Sequence, residues 1–246
     1  MTIGEEASVN SGARVSRVER PRRAARSTYD RLSGYYDLLS GPWEKPFRDA
    51  GLQKLDVRDD ERVLEIGFGT GQALLELARA VGFRGQVWGV DLSCGMAEVA
   101  GARVREAGLS RRVALARGDA VRLPLRDGAF DAVFIAFTLE LFDTPYIPDV
   151  LRECRRVLRE DGRMCVVSLA KREEPGLVAR IYTWAHEQFP AVLDCRPIYV
   201  GDALDEAGLR VVDVEQGTMA GLGVDVVLAY QPARAETHPR RLVGSF

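Results

Sequence analysis

The sequence predicts an α/β fold in which a mostly parallel, doubly wound β-sheet is covered by helices on both faces. Short runs rich in Val, Ile and Leu alternate with longer segments whose apolar residues recur at helical spacing. Such alternation is typical of parallel sheets with crossover helices. A turn with three glycines follows the first apolar run, at the position where open α/β sheets bind ligands.

Length and composition restrict the class of protein. The chain has 246 residues, of which 46% are hydrophobic and 28% charged, as in an average globular protein. A formal net charge of −2 argues against a polybasic nucleic-acid-binding protein and against a strongly acidic disordered chain. No apolar run approaches the roughly 20 residues of a membrane span, and residues 1–10 lack the apolar segment of a secretory signal. We therefore expect a soluble cytoplasmic protein.

The chain divides into three zones. Residues 1–26 are polar and Arg-rich, and we expect a disordered leader there. Residues 27–230 carry the strand and helix patterns and form one domain, with a lid-like insertion around residues 172–201. Residues 231–246 are expected to form a flexible tail. Because six arginines lie in residues 11–26, the core is more acidic than the total charge suggests, and we expect no nucleic acid as its substrate.

Seven short apolar runs are predicted as strands because they are rich in aliphatic residues. They are Arg62–Gly67, Gln86–Asp91, Val113–Arg117, Phe130–Ala136, Arg163–Leu169, Leu209–Glu215 and Val224–Tyr230. The segments with helical spacing are Ala73–Val81, Met96–Ala107, Ile147–Leu158, Gly176–Phe189 and the shorter Asp202–Ala207. Only Gln216–Gly223 separates the last two strands, which is too short for a crossover helix. We therefore expect an antiparallel hairpin at one edge of the sheet.

Cysteine and histidine usage predicts no metal site. The cysteines Cys94, Cys154, Cys165 and Cys195 have no C-x-x-C spacing, and the chain has only two histidines, His186 and His238. A structural zinc site needs a closer set of such ligands. We expect reduced thiols that are mostly buried as small hydrophobic side chains.

The most specific motif is the glycine loop, residues 67–71, which ends the first strand in the sequence VLEIGFGTG at Val63–Gly71. Glycines permit positive φ angles and let a ligand approach the backbone closely. A dinucleotide-binding fingerprint would place its third glycine at position 72, where this chain has Gln72. The spacing therefore disfavours a nicotinamide-dependent oxidoreductase.

Acidic residues follow the next strands. Asp91 ends the second strand, twenty residues after Gly71, and Asp119 follows the third strand within Gly118-Asp119-Ala120. A carboxylate at the end of the second strand can accept hydrogen bonds from two ribose hydroxyls. Alone, each acid also fits a strand-end or helix-capping role. Together with the glycine loop they indicate one ligand site at the carboxyl edge of the sheet.

This set of motifs resembles the class I S-adenosylmethionine-dependent methyltransferases over about residues 27–230. The segments that carry the resemblance are Val63–Gly71, Asp91–Ser93 with Met96, Gly118–Ala120, Phe130–Val133, and Glu153–Leu158 with Gly162-Arg163. More narrowly, Tyr29-Asp30 and Tyr36-Asp37 resemble a signature of the ubiquinone/menaquinone C-methyltransferase-like branch. A spacing of seven also fits two tyrosines that pack on one helix face.

The resemblance implies a Rossmann-like sheet of seven strands in the order 3-2-1-4-5-7-6, with strand seven antiparallel. It implies methyl transfer from S-adenosyl-L-methionine to a small-molecule acceptor of quinone-like, aromatic or lipophilic character, with S-adenosyl-L-homocysteine as product. Nothing in the sequence requires a metal. The implied cofactor-binding residues are Tyr29, Glu65, Gly67, Gly69, Gly71, Asp91, Leu92, Met96, Asp119, Ala120 and Phe137.

Catalytic and acceptor-binding residues are less defined by the sequence. The general-base candidates are Glu140, after the fourth strand, and His186, in the lid-like insertion. A helix-start or solvated acid fits Glu140 better, and a surface position fits His186 better. The candidates for acceptor binding are Tyr36, Phe142, Tyr182 and Arg196. Arg196 either binds an anionic substrate or pairs with Asp194.

Three further functions are weighed against methyl transfer to a small molecule. A noncatalytic protein that binds S-adenosylmethionine or S-adenosylhomocysteine would keep the same fold, and a nicotinamide-dependent oxidoreductase is disfavoured by Gln72. A nucleic-acid methyltransferase is disfavoured because no Asn/Asp-Pro-Pro-Tyr/Phe motif follows the fourth strand. The segment Phe137–Phe142 differs from the Gly- and Arg/Asn-bearing segment of the quinone enzymes. This difference leaves open the identity of the acceptor and the atom that is methylated. The sequence also leaves open whether a general base is used and which oligomeric state the protein has.

Overall fold

A computed structural model describes residues 41–173, 176, 178, 180–182 and 195–232 of the chain. The helices with defined bounds are α1 (Gly41–Leu55), α2 (Gln72–Ala80), α3 (Cys94–Glu106), α4 (Ile147–Val157) and α5 (Val200–Glu206). The strands are β1 (Arg62–Ile66), β2 (Gln86–Asp91), β3 (Val113–Arg117), β4 (Phe130–Ala136), β5 (Leu158–Leu169), β6 (Arg210–Met219) and β7 (Leu222–Tyr230). Two 3₁₀ turns, Leu139–Leu141 and Thr144–Tyr146, lie between β4 and α4.

The seven strands form one sheet in the order β3-β2-β1-β4-β5-β7-β6. Strand β1 pairs in parallel with β2 on one side and with β4 on the other, so that Val63 lies between Val87 and Ala132. Strand β7 is antiparallel to both β5 and β6. The strand order and the single antiparallel strand confirm the predicted fold class.

Helices cover both faces of the sheet, because neighbouring residues of each strand point to opposite faces. On one face, Leu64 of β1 belongs to a buried cluster that includes Leu151 of α4 and Leu204 of α5. On the other face, Val63 belongs to a cluster that includes Leu74 of α2 and Leu55 of α1. Among the described residues, a helix with the length and hydropathy of a membrane span is not found.

Helix α1 was not identified from the sequence. It contains Pro46 in its interior, and proline disfavours a helix interior because it lacks the N–H donor. Tertiary packing compensates, since a Cβ added at Gly51 would lie 2.5 Å from Cγ2 of Val167 on β5. The helix backbone therefore lies directly against the sheet.

The bounds of the last three strands differ from those predicted. Strand β5 begins at Leu158 because α4 ends one residue earlier, at Val157. The pairing of β4 with β5 is interrupted between Phe130 and Ala132. The predicted antiparallel hairpin at the sheet edge is confirmed, but its connection is shorter than the predicted Gln216–Gly223, since β6 and β7 extend to a two-residue turn.

Glycines in the β6–β7 hairpin explain that error. Gly217 pairs with Val224 within the ladder, and the ring of Phe47 on α1 occupies the position that a Cβ would take. Glycine in a strand interior marks such a close approach as well as a turn. The turn itself is Ala220-Gly221, both with positive φ.

Candidate active site

The site lies at the carboxyl ends of the parallel strands, where β1, β2, β3, β4 and β5 each lead into a loop. Parallel pairing places these ends along one edge of the sheet. Loops at that edge converge on the place where the strand order reverses, between β1 and β4, which is the usual ligand position in open α/β sheets.

The three glycines of the glycine loop all have positive φ, but their surroundings differ. At Gly67 (φ 68°) a Cβ would collide with the side chain of Thr138, and at Gly71 (φ 85°) it would lie 2.9 Å from Cβ of Ala100. At Gly69 (φ 52°) a Cβ would meet no atom within 4 Å. Gly67 and Gly71 therefore permit internal packing, whereas Gly69 faces open space into which a ligand can fit.

The carboxylate of Asp91 connects the glycine loop to the end of β2. Its Oδ2 accepts a hydrogen bond from the Gly69 N–H at 2.9 Å, and its Oδ1 accepts one from the Ser93 N–H at 2.8 Å. An ionised carboxylate has about four acceptor positions, so one carboxylate can accept from backbone N–H groups and from hydroxyl donors of a ligand. Asp91 is thus suited to the ribose-binding role that the resemblance implies.

The start of α3 fixes the residues that follow Asp91. Ser93 is the N-cap residue, and its Oγ accepts a hydrogen bond from the Met96 N–H at 3.1 Å. Met96 is buried, whereas Leu92 is exposed. The two predicted adenine neighbours therefore differ in exposure, one in the protein interior and one at the rim of the site.

Pairing of β2 with β3 brings Asp119 towards Asp91. The Gly118 N–H donates to the Asp91 carbonyl at 3.0 Å. Oδ1 of Asp119 accepts a hydrogen bond from the Val121 N–H at 3.1 Å, which holds this half-buried side chain in place. Ala120 is buried.

Glu65 is a buried acid beneath the loop. Only 3% of its surface is exposed, and within the described part of the chain its Oε2 has no hydrogen-bond donor. Burial raises the pKa of Glu65 well above its usual value; the charge of Arg48 opposes this rise and that of Asp91 reinforces it. A buried carboxyl oxygen without a hydrogen-bond partner is unfavourable, so a polar group of a ligand fits this position.

Phe137 turns the chain out of β4 in a left-handed conformation, with φ 48°. Such a φ is uncommon for a bulky residue and is found where the surrounding structure imposes it, often at functional sites. The Phe137 N–H donates to the Val167 carbonyl at 2.8 Å. The turn places Thr138 against the glycine loop. Its hydroxyl donates to the Ala136 carbonyl at 2.9 Å, and its Oγ1 lies 3.3 Å from the Gly67 carbonyl oxygen.

Glu140 is completely buried, so the solvated side chain favoured at the sequence level is wrong. It does lie in the first turn of a 3₁₀ helix. The Ser168 hydroxyl donates to its Oε2 at 2.9 Å, and the Leu169 N–H donates to its Oε1 at 3.2 Å. Burial raises the pKa of Glu140 to about 7, although these hydrogen bonds oppose the rise. A group with this pKa exchanges its proton near neutral pH.

Arg196 is also buried, with 1% of its surface exposed. Its Nη2 donates to the Phe142 carbonyl at 2.8 Å and to Oγ1 of Thr144 at 2.9 Å. Burial lowers the pKa of Arg196, and the charges of Asp143 and Glu140 oppose this effect. Two predicted acceptor-binding residues, Phe142 and Arg196, are therefore in contact after β4.

The remaining predicted residues divide into two groups. Tyr182 is described, and its hydroxyl donates to the Cys195 carbonyl at 3.0 Å, next to Arg196. Tyr29, Tyr36 and His186 lie outside the described residues, as does Asp194, the alternative partner of Arg196. The predicted leader and most of the predicted tail and lid lie outside them as well.

Several residues of the site were missed by sequence reasoning. Ser93 carries a recognisable signal, since serine directly before a helix is a preferred N-cap. Thr138 and Ser168 carry none, because their roles depend on contacts with residues distant in sequence. The four cysteines, all within the described residues, form no disulfide; Cys154 and Cys165 are fully buried, and Cys94 and Cys195 are half-buried. Among the described residues, no cluster of His, Cys, Asp or Glu is arranged to hold a metal ion.

Comparison with known protein families identifies one matching region. A family model described as "Methyltransferase domain" matches residues 63–162. This region begins at β1 and ends within β5, and it includes the glycine loop, Asp91, Asp119 and Glu140.

Curated proteins with similar sequences act in quinone biosynthesis according to their names. The chain is 31% identical over 159 residues to a demethylmenaquinone methyltransferase from Lactobacillus johnsonii, covering 63% of this chain and 64% of that protein. It is 30% identical over 175 residues to the ubiquinone/menaquinone biosynthesis C-methyltransferase UbiE from Azotobacter vinelandii, covering 71% of this chain and 67% of that protein. The chain thus spans between about half and two thirds of the length of the curated relatives it matches.

A solved structure supports the fold assignment. The crystal structure of the [4+2]-cyclase SpnF superposes with a TM-score of 0.72 and 21% sequence identity, covering 89% of this chain and 98% of that one. At this identity the similarity shows a common fold and nothing about the reaction.

Proposed function

Because the chain belongs to the class I S-adenosylmethionine-dependent methyltransferases, we propose that it transfers a methyl group from S-adenosyl-L-methionine to a small-molecule acceptor. One observation carries the proposal. The glycine loop leaves open space at Gly69, directly beside the carboxylate of Asp91 that accepts the Gly69 N–H. This pairing of an accessible backbone with an acid suits a nucleoside with ribose hydroxyls.

The residues at this edge fit the cofactor. Asp91 would accept the ribose hydroxyls, and Asp119 with the Ala120 N–H would contact the adenine. The Oε2 of Glu65, which has no partner in the described structure, would form a hydrogen bond with a polar group of the methionine portion. We propose that the other predicted cofactor residues also contribute to the cofactor site, without assigning to each a particular atom of the cofactor. They are Tyr29, Gly67, Gly71, Leu92, Met96 and Phe137.

S-adenosylmethionine, when bound, supplies a methyl group on a sulfonium that is already strongly electrophilic. The residues of the chain therefore mainly bind and orient the acceptor and exclude water. Such orientation can contribute about 7–11 kcal/mol to lowering a barrier. Glu140, with a pKa of about 7 in a fully buried position, is suited to hold or accept a proton from the acceptor.

For the acceptor class, we propose a small aromatic molecule of quinone-like character. The names of the curated relatives support this class. The segment after β4, in which Glu140 contacts Ser168 and Leu169, lacks the Gly- and Arg/Asn-bearing sequence of the quinone enzymes. The exact acceptor can therefore differ from theirs.

Titration calorimetry of the full chain tests the cofactor, and a transfer assay tests the reaction. We expect binding of S-adenosylhomocysteine and none of NADH. With S-adenosylmethionine labelled in its methyl group, we expect label to appear in an aromatic acceptor such as a dihydroxynaphthalene. Binding of NADH alone would support the oxidoreductase. Binding of S-adenosylhomocysteine with no transfer to any acceptor of a broad panel would support the noncatalytic alternative.

We also propose the organisation of the chain and its cellular setting. Residues 27–230 form the methyltransferase domain, residues 172–201 its lid, and residues 1–26 and 231–246 flexible ends. Buried cysteines that form no disulfide, such as Cys154 and Cys165, support a reducing, cytoplasmic location. We propose no nucleic-acid partner. Limited proteolysis should cleave first in the two ends and then in the lid, and cleavage should slow in the lid when S-adenosylhomocysteine is added.

A further inference from the structure

Arg196 carries a buried guanidinium whose donors are only partly used. Of the five N–H bonds of an arginine, the two on Nη2 are directed at Phe142 and Thr144. Within the described part of the chain, Nε and Nη1 are buried and have no acceptor. Leaving charged donors buried and unsatisfied is strongly unfavourable, so an acceptor from outside the described chain is expected there.

The position of Arg196 places these donors at the active-site edge of the sheet. Ile198, two residues later, forms a parallel bridge with Ala170, and its N–H donates to the Leu169 carbonyl at 3.0 Å. The Arg196 segment therefore lies alongside the carboxyl end of β5. On its other side, Arg196 holds the chain that leaves β4, through Phe142 and Thr144.

The same edge connects Arg196 to the glycine loop. Thr138 contacts Gly67, and Glu140, two residues after Thr138, is held by Ser168 and Leu169 of β5. The order along the edge is therefore glycine loop, Glu140 and then Arg196. This order places the guanidinium beyond the glycine loop, next to the carboxyl ends of β4 and β5.

Nearby acids do not satisfy Arg196. The charges of Asp143 and Glu140 both act on its ionisation, yet no ion pair joins Arg196 to either acid in the described structure, because its hydrogen bonds go to the Phe142 carbonyl and the Thr144 hydroxyl. Both oxygens of Glu140 instead accept hydrogen bonds from β5. Two buried donors, Nε and Nη1 of Arg196, therefore remain for a ligand next to a separately held carboxyl group.

We propose that Arg196 binds an anionic oxygen of the methyl acceptor, so that the substrate is a small molecule with a carboxylate or an ionised hydroxyl. This inference rests on the proposed function and specifies its substrate class. An ionised hydroxyl on an aromatic ring also makes the acceptor more nucleophilic, which reduces the need for a general base.

Calorimetry with three matched probes tests this inference on the full chain saturated with S-adenosylhomocysteine. The probes are 4-nitrophenolate, 4-nitrobenzoate and the neutral 4-nitroanisole. We expect one anion to bind at least about tenfold more tightly than 4-nitroanisole, as a charge-assisted hydrogen bond implies. The anion that binds distinguishes an ionised hydroxyl from a carboxylate. Equal affinities of the wild-type protein for all three probes would overturn the inference, and a water molecule would then be the simplest acceptor for Arg196.

Two variants locate the anion site. Arg196→Gln should remove the preference for the anion while the affinity for S-adenosylhomocysteine and for 4-nitroanisole stays unchanged. Glu140→Gln should preserve or strengthen anion binding, because it removes a negative charge that acts on Arg196. Loss of the preference in Glu140→Gln but not in Arg196→Gln would overturn the assignment. If Arg196→Gln does not fold, the inference is still tested by two measurements. These are the preference of the wild-type protein for the anionic probes and the anion affinity of Glu140→Gln.

The outcome is separable from that of the proposed function. Failure of the wild-type protein to bind S-adenosylhomocysteine would contradict the proposed function, and the anion preference can still be measured on the chain alone. Binding of S-adenosylhomocysteine without any anion preference would contradict only the role of Arg196.

Discussion

At the residue scale, the glycine loop shows that one motif can serve two physical purposes. Gly67 and Gly71 lack a side chain because Thr138 and Ala100 occupy the space, whereas Gly69 lacks one although the space is open. All three have positive φ, but only at Gly69 does the missing side chain leave space that a ligand can occupy. The sequence presents the three glycines as equivalent, and the difference becomes visible only when their neighbours are known.

Alanine substitutions should separate these purposes. Gly69→Ala should lower the free energy of unfolding by about 1–2 kcal/mol, the cost of a left-handed alanine, and should abolish measurable binding of S-adenosylhomocysteine. Gly71→Ala should lose about 1–3 kcal/mol more, because its Cβ would also lie 3.2 Å from the Ala100 backbone. Urea denaturation and calorimetry measure both effects. A folded Gly69→Ala protein with wild-type affinity would contradict a ligand at this position.

Asp91 should contribute to affinity through its charge. Asp91→Asn keeps the shape of the side chain but removes the ionised acceptor that holds the Gly69 and Ser93 N–H groups. We expect affinity for S-adenosylhomocysteine to fall roughly 10- to 100-fold, since hydrogen bonds to charged groups contribute about 1.5–3 kcal/mol. The matched control is Asp213→Asn on β6, which alters an ion pair between the half-exposed Asp213 and Lys54 of α1. Equal affinities of the two variants would argue against the role of Asp91.

At the scale of elements, α1 is held to the sheet by a buried cation. Arg163 of β5 donates from Nε to the Leu55 carbonyl at 2.5 Å and from Nη2 to the Asp56 carbonyl at 2.6 Å, and it pairs with Glu61 at 2.7 Å. Burial alone would raise the pKa of Glu61, but the hydrogen bonds from Arg163 and from the Arg58 N–H lower it overall. Arg163 therefore satisfies both the end of α1 and a buried acid.

Removing that cation should destabilise the protein strongly. Arg163→Met should lower the free energy of unfolding by about 3–5 kcal/mol, because Glu61 would remain buried without its partner. Arg152→Met serves as the control, since Arg152 pairs with Asp149 on the surface and such pairs contribute at most about 1 kcal/mol. Guanidinium denaturation measures the two losses, and similar losses would show that the Arg163 network is not stabilising.

The β6–β7 hairpin offers a stabilising substitution. Ala220 and Gly221 have φ values of 48° and 84°, as in a type I′ turn, for which Asn-Gly is preferred. Ala220→Asn should raise the free energy of unfolding by about 0.5–1 kcal/mol, because asparagine adopts the left-handed conformation more readily than alanine. Gly221→Ala should have the opposite effect, since its Cβ would lie 2.8 Å from Cβ of Val178. No change in thermal midpoint for Ala220→Asn would contradict this description of the turn.

At the scale of the whole molecule, Glu140 should link stability to pH. Its pKa is about 7 in the folded chain against an ordinary value of 4.5, with burial as the main cause. The folded state therefore holds a proton that the unfolded state has already released between these values. Its contribution to stability is complete below about pH 4.5, falls as the pH rises to about 7 and is absent above it. The difference between a pKa of 4.5 and one of about 7 corresponds to a total change of about 3.5 kcal/mol, at ~1.4 kcal/mol per pKa unit.

The test compares the pH dependence of unfolding in the wild type and in Glu140→Gln. The wild type should lose more stability than the variant between about pH 5 and 8, measured by urea denaturation at each pH. The groups around Glu140 are Ser168, Leu169, Arg196 and, at longer range, Glu44. Glu44 is the only acid among them, and it is present in both proteins. The difference between the two pH profiles therefore reports the ionisation of Glu140. Parallel profiles would mean that Glu140 keeps an ordinary pKa.

Prediction from sequence succeeded where the signal is local. Strands β2, β3 and β4 begin and end at the predicted residues, because each is a short aliphatic run bounded by turn residues. Helix α1 was missed because Pro46 weakens the helical pattern, and only packing against β5 makes the helix stable. The Gln216–Gly223 segment was misassigned because glycine is typical of turns and also of strands that another side chain approaches closely.

The sequence by itself determined the fold class, the position of the glycine loop and the placing of Asp91 and Asp119 at strand ends. These features follow from the periodicity of apolar residues and from the conformational freedom of glycine. Both are local properties that can be read from residues close together in the chain. Only the tertiary structure decided that Glu140 is buried and that Arg196 keeps unsatisfied donors. Burial and ionisation depend on residues that are distant along the chain, since Ser168 and Phe142 are brought to these groups by the pairing and packing of the sheet.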